Sequence, residues 1–134
     1  MFYKTAYITI SKRHLRMAEV LQTACLYEGV IFHVYHAFEA ICCSGLEELS
    51  DGMEHDRRLL VFIDPYPDGL LRQKFFQVYY ALASLTRSRT PVGTRNKALY
   101  YENRIEPHRR FQATDARKAI ERTAEIVELI ISEI

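Results

Sequence analysis

The chain has 134 residues, 49% of them hydrophobic and 26% charged, which leaves room for one folding unit and is too apolar for a disordered one. No apolar run approaches the ~18 residues needed to span a bilayer, so the composition is that of a soluble protein. Eighteen Lys and Arg against 17 Asp and Glu leave a formal charge of +1, which excludes a uniformly basic nucleic-acid binder. Five Gly and four Pro are too few to punctuate a sandwich of short strands, and a helical chain is favoured, with residues 1–134 as a single domain.

Met1 leads into Phe2-Tyr3-Lys4-Thr5 without the basic start and apolar core of a secretory signal, so a cytoplasmic location is expected. Cys25, Cys42 and Cys43 are odd in number and form no CxxC pair, and two of them are adjacent, which fits reduced, buried thiols. Neighbouring helix positions point about 100° apart, so Cys42 and Cys43 cannot close a clamp with His33 or His36. No metal and no cofactor is expected.

Between Tyr7 and Tyr27 the residues Ile10, Met17, Ala18, Leu21, Ala24 and Cys25 recur at three- and four-residue spacing, which predicts an amphipathic helix. Gly29 interrupts it. Val30, Val34, Ala37, Phe38, Ile41 and Cys42 then carry the same period to a stop near Ser44-Gly45, so the two helices read as an antiparallel hairpin. Residues 47–68 hold seven acids, the Arg57-Arg58 pair, Pro65 and Pro67. They read as a mixed connection, in which Leu59-Leu60-Val61-Phe62-Ile63 fits a short strand or a helical turn.

Leu71, Phe75, Val78, Tyr79, Leu82 and Leu85 define a third helix from about Gly69 to Arg87, and its aromatic stripe reads as core. A breaker cluster over 86–93 precedes a short helix through Arg95, Asn96, Leu99 and Tyr100, with Thr94 as its cap and Pro107 closing the piece. Thr114 is placed to cap a last helix whose apolar face, Ala116 to Ile134, is broader than one neighbour covers. The expected fold is all-α, an up-and-down bundle of four to five helices.

Counted by segment, the charge is polarised. Residues 87–118 carry nine bases and three acids, or +6, and the remainder carries nine bases and 14 acids, or −5. A basic zone of this kind attracts phosphates, and Tyr100, Tyr101 and Phe111 within it offer rings on which a base can stack. The alternative is that the zone pairs with the acidic connection.

The order of these features, with Tyr35-His36-Ala37-Phe38-Glu39-Ala40 in the second helix, Arg95-Asn96-Lys97-Ala98-Leu99-Tyr100-Tyr101 later, and Thr114-Asp115-Ala116-Arg117-Lys118-Ala119-Ile120 opening the last, resembles the HEPN domain family over most of the chain. The resemblance implies a small helical bundle that commonly dimerises. It also implies a metal-independent ribonuclease, or a partner of a small nucleotidyltransferase. The family's catalytic motif is an Arg, often followed by Asn, with a His a few positions further on. Arg95-Asn96 matches its start, Tyr100 stands where the His would be, and His108 is the imidazole nearby in sequence.

An altered nuclease site would therefore use Arg95, Tyr100 and His108. Arg95 can stabilise charge on a phosphate, because a guanidinium stays charged and binds oxygens bidentately. Tyr100, with an ordinary pKa near ~10, is a poor base at neutral pH. The expectation is thus a domain that binds a nucleotide, RNA or a partner protein without strong catalysis. The candidate binding residues are Arg95, Asn96, Tyr100, Tyr101, Arg104, Arg109 and Arg110, with His36 and Glu39 three apart on one helix face. A purely structural interaction module is the third reading. Phosphate-loop, dinucleotide, zincin and serine-hydrolase readings lack their motifs.

Overall fold

Apolar residues run round the whole of Tyr27–Ser44 instead of along one stripe, and this helix is accordingly the buried centre of the structure. The computed structural model describes residues 2–48 and 52–134. Among them are six α-helices and no strand: α1 (Phe2–Thr23), α2 (Tyr27–Ser44), α3 (His55–Ile63), α4 (Leu70–Ser84), α5 (Pro91–Leu99) and α6 (Ala113–Glu133), with a 3₁₀ turn at Pro107–Arg109. The all-α bundle is therefore present, with more elements than expected because 55–63 is a full helix.

The four long helices alternate in direction. Lys4 at the start of α1 donates to Ile134 O beyond the end of α6, while Gln22 near the end of α1 donates to Ala113 O at the start of α6, so the two run antiparallel. α2 returns along α1 through a tight turn, and α6 packs on α1, α2 and α4. Three neighbours cover its broad face, in which Ala116, Ala119, Thr123, Ile126, Val127 and Ile130 are buried. α2 also touches α3 and α5, and that side carries the candidate site. No helix among the described residues is long and apolar enough to cross a membrane.

The helix ends differ from expectation for one physical reason. Glycine usually supplies the left-handed residue that closes a helix, but here Cys25 (φ 60°) and Arg87 (φ 55°) take that position. After α1, Leu26 N–H donates to Leu21 O and Cys25 N–H to Gln22 O. After α4, Ser88 N–H donates to Ala83 O and Arg87 N–H to Ser84 O. Gly29 lies inside the first turn of α2, where a Cβ would come 2.8 Å from Leu21 Cδ1, so it serves close packing of the hairpin and interrupts nothing.

The capping expectations shift too. α5 begins at Pro91 and not at Thr94, whose buried hydroxyl donates to Leu82 O at 2.6 Å. α6 begins with Gln112, whose N–H donates to Asp115 Oδ2 at 3.0 Å, and Thr114 lies in its first turn. The α1 stripe is rotated: Ser11, Leu15 and Ala18 face α2, with the Ser11 hydroxyl donating to Ala37 O, whereas Ile10, Met17 and Val20 are exposed. Phe75 and Tyr79 are core, as expected of the aromatic stripe, and Tyr80 is exposed.

Two glycine changes and their reverse test these assignments. Gly45→Ala places a Cβ 2.5 Å from Phe62 Cε1 in the core and is expected to cost about 1–3 kcal/mol, with Gly29→Ala costing less because the end of Leu21 can move. Arg87→Gly relieves a left-handed side chain at an exposed position and is expected to stabilise by about 0.5–1 kcal/mol. Thermal unfolding of the three variants should rank Arg87→Gly above wild type and Gly45→Ala lowest.

Candidate functional site

Glu39 is the charged residue in the buried stretch of α2, with 7% of its surface exposed. A carboxylate so placed must be paired and hydrogen-bonded. One turn earlier on the same helix, His36 Nδ1 lies 3.3 Å from Glu39 Oε1. From α3, His55 Nδ1 donates to Glu39 Oε2, and Arg58, one turn further along, brings Nη1 to 3.9 Å from the same oxygen. Burial pushes the Glu39 carboxyl up, but the hydrogen bonds from His36 and His55 outweigh it and hold the group below its ordinary value. Glu39 is therefore an anion at neutral pH.

The other edge of His55 meets Arg95 of α5, whose Nη1 is 3.3 Å from His55 Nε2. Asn96 Oδ1 accepts from Arg95 Nε at 3.3 Å and Nη2 at 2.8 Å, and the guanidinium lies 5.8 Å from the centre of the Tyr35 ring. A carboxylate accepts and a guanidinium donates, so His55 is held as the tautomer with its proton on Nδ1 and a lone pair on Nε2. Glu39, His55 and Arg95 thus form one line from a buried anion, through an oriented imidazole, to a half-buried cation. The His55 side chain is 41% exposed, so the line ends at solvent.

Asp56 fixes the two short helices relative to α2. Its Oδ1 accepts the Val92 N–H at 3.2 Å in the first turn of α5 and the Tyr35 hydroxyl at 3.3 Å. Burial, then the carboxylates of Glu39 and Asp56, push the Tyr35 phenol well above its ordinary value against the opposing pull of Arg95, so it stays a neutral donor. Behind Glu39, burial raises the Cys43 thiol to about 11 and pushes Cys42 well above its ordinary value, which leaves both as protonated core groups. Cys25 lies exposed in the turn after α1, unlike the buried thiol expected.

On the hairpin side the array continues. His14 Nδ1 and His33 Nδ1 are 2.8 Å apart, and the His14 ring lies 5.5 Å from that of His36. Burial, then the neighbouring His33 and His36, lower the His14 imidazole to about 4 against the pull of Glu39, and burial and His36 lower His33. Among the described residues no three His, Cys, Asp or Glu side chains converge as a metal site.

The structure thus brings together Arg95, Asn96, His36 and Glu39. It does not bring the remaining candidates to them. Tyr100, Tyr101, Arg104, His108, Arg109 and Arg110 lie on the segment after α5, and among the described residues none makes a hydrogen bond, ion pair or ring contact with His36, Glu39, His55 or Arg95. There His108 pairs with Glu106 at 3.3 Å, and Arg110 Nη2 donates to Glu102 O at 2.6 Å. Sequence reasoning missed His55, Arg58 and Asp56. The signal was present: Leu59, Phe62 and Ile63 follow His55 at four, seven and eight residues, which places His55 on the inward face of a helix.

No protein-family model, curated protein or solved structure matches this chain.

The hairpin histidines make stability depend on pH. The unfolded chain takes up protons near pH 6.5 that folded His14 does not take up until about pH 4, so the folded state loses stability as pH falls through that window. Glu39, whose pKa is held down, adds a further loss only below its ordinary value of 4.5. Scanning calorimetry should show a lower Tm at pH 5 than at pH 7, with a smaller drop in His14→Asn. An equal or higher wild-type Tm at pH 5 contradicts the assignment.

Proposed function

We propose that the Arg95–His55–Glu39 line binds a phosphodiester of RNA and cleaves it, without a metal, by attack of the adjacent 2′-hydroxyl. The carrying observation is that His55, fixed by Glu39 at Nδ1, keeps its Nε2 lone pair 3.3 Å from the Arg95 guanidinium. A general base beside a permanent cation is what transesterification at phosphorus requires. The line contains an acid–base group and an anion binder but no side-chain nucleophile, which suits a substrate that carries its own.

In this reading a non-bridging phosphate oxygen takes over the Arg95 Nη1 hydrogen bond now made to His55. His55 Nε2 then accepts the 2′-hydroxyl proton, the 2′ oxygen bonds to phosphorus, and the bond to the 5′ oxygen breaks. The leaving oxygen takes a proton from solvent, and a 2′,3′-cyclic phosphate remains. Glu39 stabilises the imidazolium, Asn96 holds the guanidinium in plane, and His36 holds Glu39. Arg95-Asn96 is also where the chain resembles HEPN domains. The imidazole that meets Arg95 comes from His55, 40 residues earlier in the chain, and not from the segment after α5.

Incubation of labelled RNA with the protein in a chelator should yield cyclic-phosphate ends, and DNA of the same sequence should stay intact. Arg95→Ala and His55→Ala should each lower kcat/KM by about 10²–10³. Intact RNA with wild-type protein overturns the catalytic reading. If oligonucleotide binding is then still lost in Arg95→Ala, the same groups hold a phosphate without turning it over, which is the second reading; the guanidinium held in place by Asn96 and His55 favours it.

A further inference from the structure

The segment after α5 carries an unusual concentration of exposed apolar surface. Leu99, Tyr100, Tyr101 and Ile105 are 42%, 57%, 67% and 42% exposed, all within seven residues. Such a patch in so short a stretch marks a contact surface.

Its backbone is built in advance. Tyr100 N–H donates to Asn96 O at 2.8 Å, Glu102 and Ile105 form an isolated antiparallel bridge, and Ile105 N–H donates to Glu102 O at 3.0 Å. Asn103 and Arg104 between them both have positive φ, 52° and 62°, which is the backbone of a tight hairpin turn. A left-handed arginine is unfavourable and is held by its surroundings, here by the half-buried Arg110 donating to Glu102 O. The result is a small hydrogen-bonded wing with two tyrosines on its first arm and an exposed guanidinium at its tip.

The charge around the wing selects the partner. From Arg95 to Arg110 there are five bases (Arg95, Lys97, Arg104, Arg109, Arg110) and two acids (Glu102, Glu106). A second copy docking face to face through a two-fold would bring two net-positive patches together. An anionic chain with flat apolar rings meets both features at once. Leu99 follows Arg95 by four residues on the same face of α5, so the wing begins about 6 Å along the helix axis from the backbone of Arg95.

We infer that the Tyr100–Tyr101 wing stacks an unpaired base next to the phosphodiester held at Arg95, so that the ligand is single-stranded RNA and duplex is rejected. This rests on the reading of the Arg95 line as an RNA site. Exposed tyrosines stack bases irrespective of sequence, and a paired base hides its face.

The test is fluorescence anisotropy with a labelled, uncleavable 2′-O-methyl oligonucleotide of about 12 nucleotides, alone and annealed to its complement. Wild type should favour the single strand. Tyr100→Ala/Tyr101→Ala should lose about tenfold to a hundredfold in affinity and most of that preference, and the double Phe variant should keep both. Arg104→Ala should lower the salt slope by about one and leave the strand preference intact.

Equal wild-type affinity for the two strands, or a double-Ala variant that binds like wild type, overturns the inference. So does a loss of binding in that variant that coincides with dissociation of a dimer by light scattering, which would assign the wing to a second copy. The outcomes separate from those of the Arg95 line. Cleavage with tyrosine-independent binding sinks the wing alone, and tyrosine-dependent binding without cleavage sinks the catalytic reading alone. A wild-type chain that binds neither probe sinks both.

Discussion

Everything on the working side of this bundle depends on a single buried negative charge. An apolar residue at Glu39 would pack into α2 without desolvation, and replacing a buried ionic cluster by well-packed apolar groups is often neutral or stabilising. The chain instead holds a carboxylate there and surrounds it with two imidazoles and a guanidinium from α2 and α3, with a second guanidinium from α5 reached through His55. Breaking such a cluster by removing one member leaves the others unpaired in a poor solvent, typically at about 3–5 kcal/mol. A group that makes the fold harder to satisfy, and that orients an imidazole reaching solvent, is better explained by chemistry than by packing.

The polarity of the molecule supports the same division of labour. Bases concentrate over residues 87–118, and acids dominate the rest, yet among the described residues two carboxylates, Glu39 and Asp56, hydrogen-bond within the site. Both face internal groups: Glu39 the histidines and Arg58, and Asp56 the Tyr35 hydroxyl and the start of α5. The members nearer solvent are the His55 imidazole and the half-buried Arg95 guanidinium. The near-zero total charge therefore coexists with a cluster whose carboxylates lie behind an imidazole and a cation.

How much of this could be read from the chain depended on spacing. Regular apolar periods gave α2, α4 and α6 and the all-α class, because each of those helices buries residues at three- and four-residue intervals. Boundaries failed where an unusual residue did the usual job: Cys25 and Arg87 close helices without glycine, so Gly29 looked like a break that it is not. Half the site was legible because His36 and Glu39 are one turn apart and Arg95 and Asn96 are adjacent. The rest was hidden because His55, Arg58 and Asp56 sit in a short, acid-rich stretch whose helical period spans barely two turns. Proximity in sequence pointed to Tyr100 and His108, while packing brought an imidazole from a different helix.

The capping of α5 by Asp56 has a consequence for cooperativity. Each of the two short helices has nine residues, below the ~12–15 at which a helix stands alone in water, so each needs tertiary support. Asp56 makes α3 part of the start of α5, and Arg95 makes α5 part of the seat of His55. Fraying of one removes a bond the other needs, which makes the pair a single unit of local unfolding docked on a more durable four-helix frame. The imidazole and the guanidinium are thus gained or lost in the same step, and the centre exists whole or not at all.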